Sequence, residues 1–198
     1  MGRKRIVKGQ YGYIKRQKIW ASIRTAVFYA LALSLFLVGI KITGSKENLL
    51  TVAAILACLP AGRSTVNMIM FLRAAGCSEK AKQRIEPCAA GLMQLYDLFF
   101  TSYEKNYPVS HIAVKGNVVC GYSENSKTDC PACEKHLDTY LKQGGCKGVA
   151  VKIFDDIEKY CEGLNNLKKQ DEDASFGPSE ENTAQMQEII ENLLAIAL

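Results

Sequence analysis

The sequence predicts an α-helical transmembrane hairpin of two spans, followed by a small cytoplasmic α/β domain and a C-terminal amphipathic helix. Three observations carry that expectation. Two long apolar runs lie within residues 19–72, positive charge is concentrated ahead of the first run, and helical and β-rich segments alternate after the second.

A chain of 198 residues has room for a membrane module and one soluble domain. Its formal net charge of +5 conceals a steep gradient. Residues 1–24 carry eight basic side chains (Arg3, Lys4, Arg5, Lys8, Lys15, Arg16, Lys18, Arg24) and no acid, whereas residues 170–198 carry seven acids and no Lys or Arg. A basic leader can bind nucleic acid, but such contacts are ordinarily spread over a folded face. Here the charge stops where an apolar run begins, as the positive-inside rule produces at a cytoplasmic membrane boundary. The expected partner is therefore the lipid bilayer, not nucleic acid.

Residues 1–18 read as the basic leader and 19–43 as the first span. Thr25 to Ile40 is free of charge, and the extended run of about 25 residues exceeds the roughly 20 needed to cross the hydrocarbon core. Trp20 suits the interface, and Arg24 can snorkel to the headgroups. The only polar residues from Thr25 to Ile40 are Thr25, Tyr29 and Ser34, so the polar stripe of a soluble helix is missing. A cleaved signal peptide is not expected, because the basic region is long and no small-x-small site follows Ile40.

The second run, 48–72, is interrupted by Pro60 and Arg63. An arginine deep in a bilayer costs about 2.5–3.5 kcal/mol. The expectation is a short span of about 15–17 residues ending at Arg63, followed by an amphipathic helix on the inner surface. Gly44-Ser45 marks the connecting turn. With two crossings both ends share one side. The leader outweighs Lys41 and Lys46 of the loop, so the expected location is the cell membrane, multi-pass, with N- and C-termini cytoplasmic. A single crossing would instead place the C-terminal domain outside. Eight cysteines without framework spacing favour the reducing interior.

Residues 77–169 read as the soluble α/β domain. Ala81 to Glu104 is expected as a helix, from the spacing of Ile85, Leu92, Leu95, Leu98 and Phe99. Val109–Val114 and Val118–Tyr122 are strands joined through Lys115-Gly116-Asn117. Cys130–Gln143 reads as a helix closed by Gly144-Gly145, Val149–Phe154 as a strand, and Asp155–Leu167 as a helix. Residues 170–183 form an acidic linker. Residues 184–198 form the final helix, whose stripe of Met186, Ile189, Ile190, Leu193 and Leu194 packs on its own domain or on a protein partner.

The candidate chemistry is Cys130-Pro131-Ala132-Cys133. Pro131 suits the first helical position, which would make Cys130 the cap, facing the positive end of the helix dipole. Strand, Cys-Pro-x-Cys turn, helix and strand over about 40 residues resemble the active-site unit of glutaredoxins. That resemblance implies a thiol oxidoreductase, with Cys130 as the nucleophilic thiol and Cys133 as the resolving one. The Ser123–Asp129 loop is longer than the family's, and a hairpin precedes the motif. A zinc site would need Cys130, Cys133, His136 and either Cys120 or Cys146, but only one closely spaced pair exists. No cofactor is expected. His111 lies in a strand and reads as structural. The leading expectation is a membrane anchor presenting the domain for an interaction or accessory role; the thiol enzyme is the alternative.

Overall fold

The computed structural model describes residues 6–102, 105–169 and 180–198. The basic residues Arg3, Lys4 and Arg5 and most of the expected acidic linker fall outside them. The chain divides into two compact units, residues 14–74 and residues 1–13 together with 75–198.

The first unit is a pair of helices, α1 (Tyr13–Thr43) and α2 (Leu49–Arg73), each long and apolar enough to cross a membrane. Helix α1 begins inside the expected leader. Helix α2 runs unbroken through Pro60 and Arg63, where the sequence suggested a short span and a separate surface helix. Pro60 removes one N–H from the ladder. Breaking the helix there would orphan several more backbone groups.

Gly44 ends α1 with φ 68°, its N–H bonded to the Ile40 carbonyl, and the Asn48 side chain caps α2 at the Thr51 N–H, 2.8 Å away. The burial of the pair is inverted relative to a soluble bundle. Apart from Ile14 and Phe71 near the helix ends, the buried residues are small (Ala21, Thr25, Ala32 and Gly39 on α1; Ala54, Ala61 and Ser64 on α2), while most large apolar ones face outward. Ile42, Leu49 and Leu59 are 72%, 84% and 71% exposed. Across the seam, Thr25 Oγ1 and Ser64 Oγ share a buried hydrogen bond of 2.8 Å. A Cβ on Gly39 would stand 2.8 Å from the Asn48 side chain, so only glycine permits the close approach at that level.

The second unit contains α3 (Glu79–Ala89), β1 (Met93–Thr101), β2 (Asn106–Lys115), β3 (Val118–Tyr122), α4 (Cys130–Gln143), β4 (Ala150–Phe154), α5 (Ile157–Lys169) and α6 (Glu180–Ile196). The strands form one sheet in the order β1-β2-β3-β4. The first three are antiparallel, and α4 returns the chain so that β4 runs parallel to β3. Helices α4 and α6 cover one face, where Leu137, Leu141, Ile189 and Leu193 meet Leu98, Ile112, Val119 and Ile153. Helices α3 and α5 cover the other, where Ile85, Tyr160 and Leu164 meet Ala113, Cys120 and Tyr122. The apolar stripe of α6 is thus spent on the domain's own core.

The segment expected as one helix from Ala81 to Glu104 is instead a helix and a strand. Helix α3 stops at Ala89, and Gly91 at φ 84° turns the chain into β1. Asp97 explains the misleading spacing. It is the one non-glycine among the described residues with a positive φ, 56°. Met93 and Leu95 face α4 and α6, but so do Leu98 and Phe100, so strand alternation skips a residue at Asp97. Strand β2 skips one at Ser110, in the same gap of the ladder. Two strand residues three apart therefore share a face, as in a helix.

A left-handed aspartate costs about 1 kcal/mol. Its carboxylate offsets this by accepting from the N–H groups of Gly12 and Cys77, each at 2.7 Å. Gly12 immediately precedes α1 and Cys77 is the fourth residue after α2. Asp97 thereby ties the segments around Gly12 and Cys77 to the edge strand of the sheet. Along the same edge, Tyr96 N–H bonds to Gly9 O at 2.7 Å and Leu198 N–H to Phe99 O at 2.9 Å. The edge of β1 is so covered from both ends of the chain.

Replacing Asp97 should order three variants by stability. Asp97→Ala loses both acceptors and keeps the strained φ, for a loss of about 3 kcal/mol. Asp97→Gly relieves the backbone and recovers about 1 kcal/mol of that. Asp97→Asn keeps an acceptor and tolerates the left-handed region, so it is mildest. Thermal unfolding of the full chain in detergent reads the ranking.

Candidate functional site

The thiol turn sits where β3 feeds α4. Ser123 is fully buried and donates to Pro108 O at 2.6 Å, while Glu124 N–H bonds Ser110 Oγ at 3.3 Å, so the loop is pinned to β2. It ends on Asp129, and here the structure departs from the sequence reading. Asp129, not Cys130, is the N-cap: its Oδ1 accepts from Ala132 N–H at 3.2 Å and its Oδ2 pairs with Lys105 Nζ at 2.9 Å. The lysine hydrogen bond holds the Asp129 carboxyl below its ordinary pKa, with the Ala132 N–H adding to it. An aspartate takes the cap because an ionised carboxylate accepts the orphan N–H groups more strongly than a thiol.

Cys130 becomes the first helical residue, and its Sγ donates to Thr128 O at 3.7 Å. Burial raises its pKa, and the Asp155, Glu134 and Asp129 carboxylates raise it further. Cys133, fully buried against α4's core neighbours, is pushed by burial to about 12. Both sulfurs are thus thiols at neutral pH, the poorly nucleophilic form. The expected order of strand, turn, helix and strand around the motif is present as β3, α4 and β4, with the two strands parallel.

The residues weighed for zinc do not converge. Cys120 lies under α5 on the opposite face of the sheet from Cys133. Cys146 Sγ accepts from Asn192 Nδ2 at 3.2 Å. His136 packs between Tyr107 and Tyr140, ring centroids 5.5 and 4.8 Å away. Among the described residues, no three His, Cys, Asp or Glu side chains form a metal-binding group.

Two groupings were not legible in the sequence. Cys88 on α3 and Cys161 on α5 come together, both sulfurs reaching Arg84 O at 3.5 and 3.8 Å; burial and the Cys88 contact push Cys161 to about 12. The second is a buried polar network centred on His111. Its Nε2 lies 3.3 Å from Gln94 Oε1 and its Nδ1 2.6 Å from the Tyr160 hydroxyl. Gln94 Nε2 donates to Ala89 O, which leaves Oε1 as an acceptor. With Gln94 Oε1 accepting, Nε2 carries the proton and Nδ1 faces the Tyr160 hydroxyl, which also lies 3.3 Å from Cys120 O. Burial lowers the His111 pKa to about 3. A neutral, doubly bonded histidine between α3, β1, β2 and α5 is a structural device that fixes the helices on that face.

Two tests follow from these geometries. Because His111 binds its proton less readily folded than unfolded, stability is complete above about pH 6.5 and is lost as pH falls toward 3. The full chain should be about 2 kcal/mol less stable at pH 5 than at pH 7, with His111→Asn flattening that slope. Alkylation of Cys130 at pH 7 should be slower than that of free cysteine, and Asp129→Asn, which removes a raising charge, should accelerate it; peptide mapping after iodoacetamide measures both. Comparison of the chain with models of known families, with characterised proteins and with solved structures finds no match.

Proposed function

We propose that the protein is an integral membrane protein, a two-span anchor that holds its α/β domain at the cytoplasmic face for an interaction or accessory role. The inverted burial of α1 and α2 carries this reading. Only 17% of the apolar window of either helix is buried, and the outward surface is Leu, Ile and Val. In water such a surface would be a large exposed apolar patch; in lipid it is the ordinary exterior. A core helix of a soluble protein would be mostly buried, and a signal sequence accounts for one helix, not two.

The seam agrees in its chemistry. Lipid provides no hydrophobic drive for helix pairing, so small residues and interhelical hydrogen bonds must hold the pair. Ala21, Ala32, Ala54 and Ala61 line the contact, with Thr25–Ser64 at 2.8 Å and Tyr29–Thr65 at 3.1 Å. Orientation follows from the basic residues of the leader together with Arg73, Lys80, Lys82 and Arg84, against Lys41 and Lys46 of the loop.

The chain should stay in the membrane fraction through an alkaline carbonate wash and leave it only with detergent. In intact cells an impermeant maleimide should label Ser45→Cys, in the α1–α2 connection, while Cys88 and Cys161 are labelled only after lysis. Release by carbonate would overturn the anchor, and labelling of Cys161 without lysis would overturn the orientation.

A further inference from the structure

Arg24 and Arg63 stand at one height on the helical pair, because Arg24 Nε reaches Ser64 Oγ at 3.3 Å and Ser64 follows Arg63 directly. They line an open groove of about 710 Å³ together with the polar Ser64 and Asn67 and the apolar Phe28, Pro60 and Val66. Apolar side chains continue on both sides of that height. Leu33, Leu37 and Leu59 are exposed toward the α1–α2 connection, and Trp20, Ile23, Ile69 and Leu72 toward the other end.

The charge arithmetic is one-sided. Glu47, in the loop at the far end of the hairpin, is the single acid in residues 1–78. Neither arginine has an ion pair among the described residues. A guanidinium flanked by apolar surface needs an anionic partner with hydrogen-bond acceptors. Two guanidiniums side by side match the tetrahedral oxygens of a phosphate, which arginine binds through paired N–H donors.

We propose that this groove binds the phosphate of an anionic membrane phospholipid, Arg24 and Arg63 holding the headgroup and Asn67 donating to it, with an acyl chain lying along Phe28, Pro60 and Val66. The inference rests on the membrane-anchor reading and adds a specific lipid to it. The combination of paired cations with an apolar wall suits a lipid better than a free anion, which would leave the wall unused. Residues 25–40 and 49–62, free of charge, span about 24 and 21 Å from the arginine level to the connection, which places the arginines within snorkelling distance of one headgroup layer.

The test uses the full chain in non-ionic detergent, with phosphatidylglycerol or phosphatidylcholine titrated in and bound lipid counted by native mass spectrometry. A single phosphatidylglycerol should be retained in preference to phosphatidylcholine. The pair Arg24→Gln/Arg63→Gln should weaken retention about 30-fold. Lys15→Gln/Lys18→Gln, which removes the same charge from outside the groove, should leave it unchanged; equal losses from both pairs would reduce the effect to a diffuse field and overturn the site. Val66→Trp keeps both arginines and fills the wall, so it should abolish retention even if the arginine pair fails to fold. Displacement of the lipid by millimolar inorganic phosphate would make the ligand a free anion and overturn the lipid assignment. Carbonate extraction separates the two levels of failure. A released chain sinks the anchor itself, whereas an embedded chain whose arginine variants retain phosphatidylglycerol normally sinks only the groove.

Discussion

The carboxylate of Asp97 joins parts of the chain that sequence keeps far apart. It accepts from Gly12 and Cys77, one residue before α1 and just after α2, while its own backbone sits in the edge strand of the sheet. The 61-residue excursion between Tyr13 and Arg73 is thereby closed at its base by two charge-assisted hydrogen bonds. Gly76 belongs to the same arrangement, since a Cβ there would stand 3.0 Å from the Asp97 carboxylate. The strained φ of Asp97 is what aims the carboxylate at both N–H groups, and it also switches the faces of β1 and, at Ser110, of β2. One backbone irregularity therefore sets the core pattern of two strands and holds the Gly12 and Cys77 segments against the sheet edge.

That irregularity also marks where sequence reasoning was blind. The hairpin helices, β2, β3, β4, α4 and α5 follow from periodicity, Gly punctuation and β-branched content, and all are present close to the expected positions. Strand β1 was read as helix because Leu95 and Leu98 share a face, and a period of three is helical unless a residue such as Asp97 breaks the alternation. Gly91 was the local signal for the break. At the thiol turn, the Cys-Pro-Ala-Cys spacing located the helix start, but the residue before it supplied the cap. Asp129 outcompetes a thiol for that position, and the dipole that would have activated Cys130 meets a carboxylate instead. The meetings of Cys88 with Cys161 and of Arg24 with Arg63 depend on helix packing and leave no mark in local sequence.

The two units solve the burial problem in opposite ways. In the α/β unit the large side chains are inside, around a polar network centred on His111. In the helical pair most large apolar side chains are outside, Ile14 and Phe71 at the helix ends excepted, and small and hydroxyl-bearing residues are buried. Helix α2 carries Pro60 and Arg63 within one continuous element, since Pro60 removes a single N–H from the ladder whereas a break would orphan several backbone groups.

The cover on the outer edge of β1 has a temporal side. Gly9 and Leu198 both bond to that strand, and the Lys8 ammonium donates to Ala197 O across 189 positions of sequence. A ribosome delivers residue 197 long after residue 8. Both hairpin helices and all four strands will have been synthesised before the strand's outer edge can be sealed at Phe99 and Phe100. Until then β1 presents free backbone donors and acceptors to any extended chain nearby. Sealing that stretch of the edge therefore waits for α6, through contacts of very high sequence separation.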